Sequence, residues 1–311
     1  MTDLRIVFFG SPEFAVPALA AVAERHEVVA VVTQPDRPAG RGAKLQPPAV
    51  KAHATARGLP VLQPAKLRDG VIAGKLSALS PDLFVVVAYG RILPPDLLAV
   101  PRLGPWNVHA SILPRFRGAA PIQWAVIRGE AMTGVTVMRM EEGLDTGPVA
   151  ALAREPIRAD DTASSLAARL APLGARLLIE TMPRIADGSV ALREQDHAIA
   201  TFAPPLTKAD GQLDFRQPAH VVSARARGVD PWPGATILLD GEPAKMFVPT
   251  LADGQGQPGE VLGLRPQGLA IACGTGVIAF SEIQLPGHKR MSAKALLSGH
   301  PIPPGTILGN G

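Results

Sequence analysis

The feature that most narrows the fold is an alternation in the first half of the chain, where short apolar runs rich in β-branched residues are separated by segments with helical spacing. Runs at Arg5 to Phe9, Val28 to Thr33, Leu83 to Ala88, Trp106 to His109, Val135 to Met138 and Val149 to Ala153 read as strands. Their near-continuous apolarity implies burial on both faces. Strands alternating with helices are the mark of βαβ units, so the expected fold class is α/β with an N-terminal doubly wound, Rossmann-like, mostly parallel sheet. Between the first two strands, Pro12 to Glu24 is expected to be a helix capped by Ser11, with Pro12 at the first helical position. A later helix is expected from Asp161-Thr162 onward. Leu166, Leu170, Leu173 and Leu177 recur there at helical spacing, and Pro172 is expected to bend or interrupt it.

From about Asp187 the character changes. The segment through Pro204-Pro205 has no sustained period and carries turn formers, as a linker does. The expected organisation is an α/β domain over residues 1–188, a linker over 189–206 and a second domain over 207–311. In that last third, Asp240-Gly241 separates the β-like runs Ala235 to Leu239 and Ala244 to Val248, a hairpin pattern. Gly274-Thr275-Gly276 similarly separates Leu269 to Cys273 from Val277 to Ile283. A smaller C-terminal all-β barrel, OB-like, is the expectation.

Several classes of protein are excluded. The chain of 311 residues contains no apolar run approaching the roughly 20 residues that span a bilayer. Its opening residues lack a signal peptide's order, and a soluble cytosolic protein is expected. Cys273 is the only cysteine, so no intrachain disulfide and no thiolate metal site can form. The seven histidines never stand at ligand-like spacing with another His or Cys, so no metal is expected. There is no P-loop, no Gly-x-Ser-x-Gly elbow, and after the first strand no three-glycine dinucleotide fingerprint. A net charge of +4 does not by itself point to nucleic acid. Its placement is more telling, because Arg37, Arg41, Lys44 and Lys51 cluster between Asp36 and Lys51.

The stretch from Trp106 to Pro121 carries the chemistry. If Trp106 to His109 is a strand, Asn107 and His109 project from one face, near the carboxyl end where open α/β sheets hold ligands. An amide donates without charge, and an imidazole can donate from one nitrogen while a carboxylate fixes the other, which suits a developing oxyanion. Asp145, in Gly143-Leu144-Asp145-Thr146-Gly147, supplies the carboxylate. Taken singly, Asn107 and His109 also fit strand-end capping, and Asp145 a turn between glycines. The joint arrangement favours chemistry.

Six segments in order then carry a resemblance. They are Gly10 to Ala15, Gln34 to Gly42, Ala88 to Pro94, Asn107 to Gln123, Gly143 to Gly147 and Met291 to Lys294. Along nearly its whole length the chain resembles the methionyl-tRNA formyltransferase family. The resemblance implies 10-formyltetrahydrofolate as formyl donor and co-substrate, and the α-amino group of initiator methionyl-tRNA as acceptor. It implies Asn107, His109 and Asp145 as the catalytic trio and Ser111, Ile112, Leu113 and Pro114 as the folate-binding signature. Tyr89, Gly90, Ile92 and Leu93 are implied beside the pterin. Ala110 stands where the family has glycine, Ile112 where it has leucine and Phe116 where it has a larger aromatic, volume changes that spare the reacting groups.

For the tRNA, the resemblance points to the basic loop with Arg37, Arg41 and Lys44, and to a C-terminal domain that helps hold the nucleic acid. Lys208, Lys289 and Arg290 are the expected phosphate contacts there, with the pair Arg225 and Arg227 also candidates. Each of these also fits a solvated surface. No membrane partner is expected, and the chain is expected to be a monomer. Competing readings are a formyltransferase acting on a ribonucleotide amine or amino sugar, a hydrolase passing the formyl group to water, and a silent folate- or RNA-binding module.

Overall fold

A computed structural model describes residues 3–39 and 44–309. Its strands are β1 (Arg5–Gly10), β2 (Glu27–Val32), β3 (Arg37–Ala39), β4 (Lys44–Gln46), β5 (Val61–Leu62), β6 (Leu83–Val87), β7 (Pro105–His109), β8 (Met132–Arg139), β9 (Val149–Pro156), β10 (Ala235–Leu239), β11 (Glu242–Ala252), β12 (Val261–Arg265), β13 (Gly268–Ala272), β14 (Val277–Gln284) and β15 (Met291–Ser292). The α-helices are α1 (Val16–Ala23), α2 (Ala49–Ala56), α3 (Val71–Ser77), α4 (Pro95–Leu98), α5 (Pro121–Ile127), α6 (Ala163–Ala186), α7 (Ala219–Gly228) and α8 (Ala293–Gly299). The chain divides into two compact units. The first takes in the chain up to Pro121 together with Met132–Pro156 and Ala167–Pro204, and the second holds Ile122–Ala131, Ile157–Leu166 and the chain from Pro205 onward.

The first unit is built on a seven-stranded sheet in the order β5-β2-β1-β6-β7-β8-β9. The strands from β5 to β7 run parallel, whereas β8 is antiparallel to both β7 and β9. All six strands expected for this half are present. Alternation sorts the central side chains onto two faces. Ile6, Phe8, Leu83, Val85, Trp106 and Val108 pack with Leu19 and Val22 of α1 and Leu178 and Met182 of α6. Val7, Phe9, Phe84 and Val86 face the other way, toward Leu76 and Leu97. Each such fully buried side chain contributes on the order of 1.5 to 3 kcal/mol relative to exposure, which is why β1 reads as one apolar run.

Two local expectations are corrected. Ser11 does not cap a helix, because a 3-10 turn over Glu13–Ala15 comes first and α1 starts at Val16 without a side-chain cap. The Ser11 hydroxyl instead accepts the Gln34 N–H at 3.1 Å. Pro172 does not interrupt α6, whose 24 residues run on through Pro172 and Pro183. A proline removes one rung of the ladder, and burial of Ala175, Leu178, Met182 and Ile185 in the core outweighs that loss.

The second unit holds an antiparallel sheet in the order β10-β11-β14-β13-β12, with β15 beside β14. Both expected hairpins are there. The unit is not purely β, since α7 and α8 belong to it; α7 buries Ala219, Val222, Ala224 and Ala226, small residues whose short run gives little periodic signal. The edge strands β10 and β12 do not pair with each other. Residues near the carboxyl terminus bridge toward both instead, Gly309 to Leu238 and Ile307 to Glu260.

Candidate active site

Asn107 and His109 stand on β7 with Trp106 and Val108 turned into the opposite core. Asn107 pairs in register with Val86 of β6, so both side chains lie close to the loop that follows β6. In that loop Tyr89 and Leu93 are buried and their side chains belong to the core, while Ile92 is 62% exposed. Gly90 has φ of 77°, and a Cβ there would meet the Gln34 amide nitrogen, which donates to the Tyr89 carbonyl.

Asp145 arrives by an indirect route. Because β8 is antiparallel, its last residue, Arg139, pairs with Trp106 at the start of β7, and the chain leaves the sheet at the end where β7 begins rather than at the His109 end. The loop folds back and places Asp145 in a left-handed conformation with φ of 51°. A Cβ at Gly147 would lie 2.0 Å from the Arg139 carbonyl oxygen, so only glycine allows this return. The Asp145 carboxylate then collects three groups. Asn107 Nδ2 donates to Oδ1 at 3.3 Å, the Gly118 N–H donates to Oδ2 at 2.8 Å, and His109 Nδ1 lies 3.6 Å from Oδ2.

The imidazole has a neighbour at each nitrogen, Asp145 at Nδ1 and a backbone carbonyl at Nε2. His109 is 6% exposed, and its Nε2 lies 2.9 Å from the Phe116 carbonyl oxygen. A carbonyl only accepts, so Nε2 carries the proton and the backbone, not the carboxylate, fixes that nitrogen. Nδ1 is left facing Asp145. Phe116 is itself left-handed, with φ of 58°, and its N–H donates to Thr201 Oγ1 at 2.9 Å.

In the segment after β7, the Ser111 hydroxyl donates to the Arg115 carbonyl at 2.5 Å, and the Ser111 carbonyl accepts from Thr136 Oγ1 at 2.7 Å. Ser111 is fully buried, so its side chain shapes the loop from inside. Leu113 packs on Met138 and Val149. Ile112 and Pro114 are half-buried, and the Leu113–Pro114 peptide is cis.

Three neighbours were not legible in advance. Arg117, readable as a solvated loop residue, is 3% exposed. Its guanidinium donates twice to Gln195 Oε1, at 3.1 and 2.7 Å, and once to His197 Nδ1 at 3.1 Å. The Gln195 amide in turn donates to the carbonyls of Asp145, at 2.9 Å, and Gly147, at 2.7 Å. Burial pulls the Arg117 pKa down, against the charge of Asp145, which raises it. Gln195 and Thr201 both belong to the segment 189–206 expected as a linker. That segment is hydrogen-bonded into the first unit, through Arg193 with Val149 and through Thr201 and Ala203 with Arg117.

Of the residues expected to meet tRNA, Arg41 lies outside the described residues, and for Lys44 only the backbone, in β4, is described. Arg37 is exposed and donates to Gln34. Nearby Lys51 is tied to Asp36 at 2.7 Å and to Gln63. Lys208 and Lys289 are exposed. Arg290 pairs with Glu282 and lies 4.1 Å over the Phe247 ring, so it is partly engaged within the chain. Arg225 and Arg227 are half-buried and donate to the carbonyls of Asp210 and Asp161.

Comparison with known proteins now decides the family. Residues 4–182 match the formyl transferase family, and residues 205–301 match the formyl transferase C-terminal domain. A methionyl-tRNA formyltransferase of Citrifermentans bemidjiense is 48% identical over 99% of this chain and 98% of its own length. The chain belongs to the methionyl-tRNA formyltransferase family. Another methionyl-tRNA formyltransferase, from Geobacter metallireducens, is 46% identical over the full length of both chains. Among solved structures, an N-formyltransferase from Helicobacter canadensis, in complex with folinic acid and dTDP-3-aminofucose, superposes with a TM-score of 0.69 at 17% identity, over 89% of this chain and 99% of that one. HypX from Aquifex aeolicus, in complex with tetrahydrofolic acid, gives 0.67 at 19% identity, over 95% of this chain and 47% of that one. Likeness at that identity speaks for the fold. Among the described residues no helix is long and apolar enough to cross a membrane, and no group of three or more His, Cys, Asp or Glu could hold a metal ion.

Proposed function

We infer that this chain transfers the formyl group of 10-formyltetrahydrofolate to the α-amino group of methionine on initiator tRNA, giving formylmethionyl-tRNA for translation initiation. The observation that carries the reading is the convergence of Asn107, His109 and the Gly118 N–H around the Asp145 carboxylate, in a chain aligned almost end to end with methionyl-tRNA formyltransferases. The neutral amine attacks the formyl carbon, and negative charge grows on the formyl oxygen. The tetrahedral intermediate collapses as the bond to N10 of the folate breaks. N10 takes a proton, and the amine loses one.

Asn107 has a second amide N–H beyond the one aimed at Asp145, and His109 donates from Nδ1 when the ring is an imidazolium, its other N–H being held by the Phe116 carbonyl. These two face the developing oxyanion, each donor being worth about 3 to 4 kcal/mol of transition-state stabilisation. Asp145, 3.6 Å from His109 Nδ1, offsets the charge of an imidazolium in the transition state and accepts the amine's proton, directly or through water. Ser111 to Pro114 and Tyr89 to Leu93 shape the folate site by their backbones, and no metal takes part. Residues 1–188 form the catalytic domain of this reading, joined by 189–206 to a tRNA-binding domain over 207–311. Arg37, Arg41, Lys44, Lys208, Lys289 and Arg290 are the tRNA contacts, in a monomeric protein of the cytosol.

The test is direct. The protein is incubated with formyl-labelled donor and either initiator or elongator methionyl-tRNA, and label is expected on the initiator alone. Release of labelled formate without label on either tRNA overturns the reading in favour of hydrolysis. In the same assay Arg41→Ala is expected to raise the tRNA KM or lower turnover with tRNA, and unaltered kinetics would remove Arg41 from the contact set.

A further inference from the structure

Gln195 is 6% exposed and all its polar valences are used: its oxygen accepts two bonds from Arg117, and its amide donates to the backbone carbonyls of Asp145 and Gly147. A carboxamide can in principle sit either way round. Arginine has only donors, so its fork fixes the Gln195 oxygen on the Arg117 side and forces both amide hydrogens onto the return loop. The two carbonyls so gripped are that of the left-handed Asp145 itself and that of Gly147, where the return loop re-enters the sheet. Such backbone persists only where its surroundings over-determine it. The hydrogen-bond partners of Arg117 are neutral, so its buried charge acts on Asp145 through space as well. Arg117 is anchored at its backbone too, donating to the Thr201 carbonyl and accepting from the Ala203 N–H.

We propose that Gln195, oriented by Arg117, is a positioning residue for the reaction: it holds the Asp145 loop so that the carboxylate meets Asn107, His109 and the Gly118 N–H at once. This rests on the role of Asp145 given above. The segment 189–206 is then part of the catalytic apparatus without touching substrate, and it works only through the geometry and charge of Asp145.

Gln195→Glu tests it, keeping the volume and the bond to Arg117 while replacing two donors by acceptors that oppose the two carbonyls. The full-length protein is assayed for kcat and for KM of both substrates across pH, alone and combined with Asp145→Asn. Misplacing the carboxylate by about 1 Å lowers kcat by roughly 10- to 100-fold, so a loss of that size is expected with both KM values nearly unchanged. The acidic limb of the kcat profile is expected to move upward, since the new negative charge disfavours ionised Asp145. In the Asp145→Asn background the further substitution is expected to cost almost nothing, because residues acting through one group are not additive. Arg117→Lys, which keeps the charge but not the fork, is expected to show a smaller kcat loss without the shift in pH profile. Gln195→Met replaces the glutamate should that variant not fold, and failure of both to fold would make the clamp a requirement of the fold alone and overturn the proposal. A wild-type kcat and pH profile, or equal losses in the two backgrounds, would also overturn it. If Asp145→Asn were itself fully active, the assigned reaction chemistry would fall first, so the two failures are distinguishable.

Discussion

The two halves of the site are held by different means. Asn107 and His109 belong to β7, which hydrogen-bonds to β6 on one side and β8 on the other, so their direction follows from strand alternation alone. Asp145 and its neighbours Phe116 and Gly118 belong to loops with positive φ, at 51°, 58° and 119°. No local periodicity holds those. What holds them is a set of hydrogen bonds to remote positions: the Phe116 N–H donates to Thr201 Oγ1, the Gln195 amide donates to the Asp145 carbonyl, and on either side of Gly118 the Arg117 carbonyl accepts from the Ala203 N–H and the Ala120 N–H donates to the Ala203 carbonyl. The strand-borne half is thus tied to the stability of the sheet, and the loop-borne half to a few polar contacts. Substitutions in the loops should change rate strongly, and substitutions in the scaffold should change stability with little effect on rate.

The largest expected effect comes from Asp145→Asn. The asparagine has nearly the same shape and can still accept from the Gly118 N–H, so the fold should tolerate it. It cannot stabilise an imidazolium at His109 or take the proton of the amine. General acid–base contributions typically run from about 10² to 10⁴ in rate, and a kcat loss in that range is expected, together with a flattened or shifted pH profile. Stopped assays across pH check both. A variant within a few-fold of wild type, with the same profile, would show that the loop-borne half is not the one that carries the proton.

The same contrast explains what could be read from the residues in advance. The expected strands, the common face of Asn107 and His109 and the two C-terminal hairpins follow from short-range pattern, and they stand in the structure. The antiparallel setting of β8 does not, because an apolar strand looks alike in either direction; the route of Asp145 back to the site was therefore unreadable. Arg117 and Gln195 are 78 positions apart, and Phe116 and Thr201 are 85 apart. A polar residue in a turn-rich segment looks the same whether it is solvated or buried against a distant loop. His109 shows a subtler limit. Its place was legible, yet the partner of its Nε2 is a backbone carbonyl, which no side-chain pattern announces.

A smaller, mixed effect is expected from Gly118→Ala. The new Cβ would lie 2.7 Å from the Ala203 carbonyl oxygen, on a backbone at φ of 119°. Strain of this type costs on the order of 1 to 3 kcal/mol, and in a chain of this size each kcal/mol lowers Tm by about 2 to 4 °C. Relief of the clash moves the Gly118 N–H away from Asp145 Oδ2, so kcat is expected to fall roughly 10-fold as well. Thermal unfolding and steady-state rates, measured on the same preparation, check the pair. Loss of stability at full kcat would mean that the Gly118 N–H does not orient the carboxylate.

The smallest effect, and the one that completes the contrast, concerns the scaffold. Asp82 precedes β6 and accepts from the Arg5 N–H at 3.0 Å and from the Arg102 guanidinium at 2.7 Å. The Arg5 N–H first of all, with help from Arg102, holds its pKa below the ordinary carboxylate value. A carboxyl whose folded pKa is lowered adds stability that is complete above the unfolded value of about 3.9 and is lost as pH falls through the folded one. Asp82→Asn is therefore expected to lower unfolding stability by a constant amount from pH 7 to about pH 5, on the order of 1 kcal/mol, with the deficit shrinking below about pH 4. Its kcat is expected to match wild type, because Asp82 borders the amino end of β6 and the reacting groups lie toward the other. Denaturant unfolding at several pH values, set beside the rate at neutral pH, checks both parts. A fall in kcat with stability unchanged would erase the division of labour between sheet and loops.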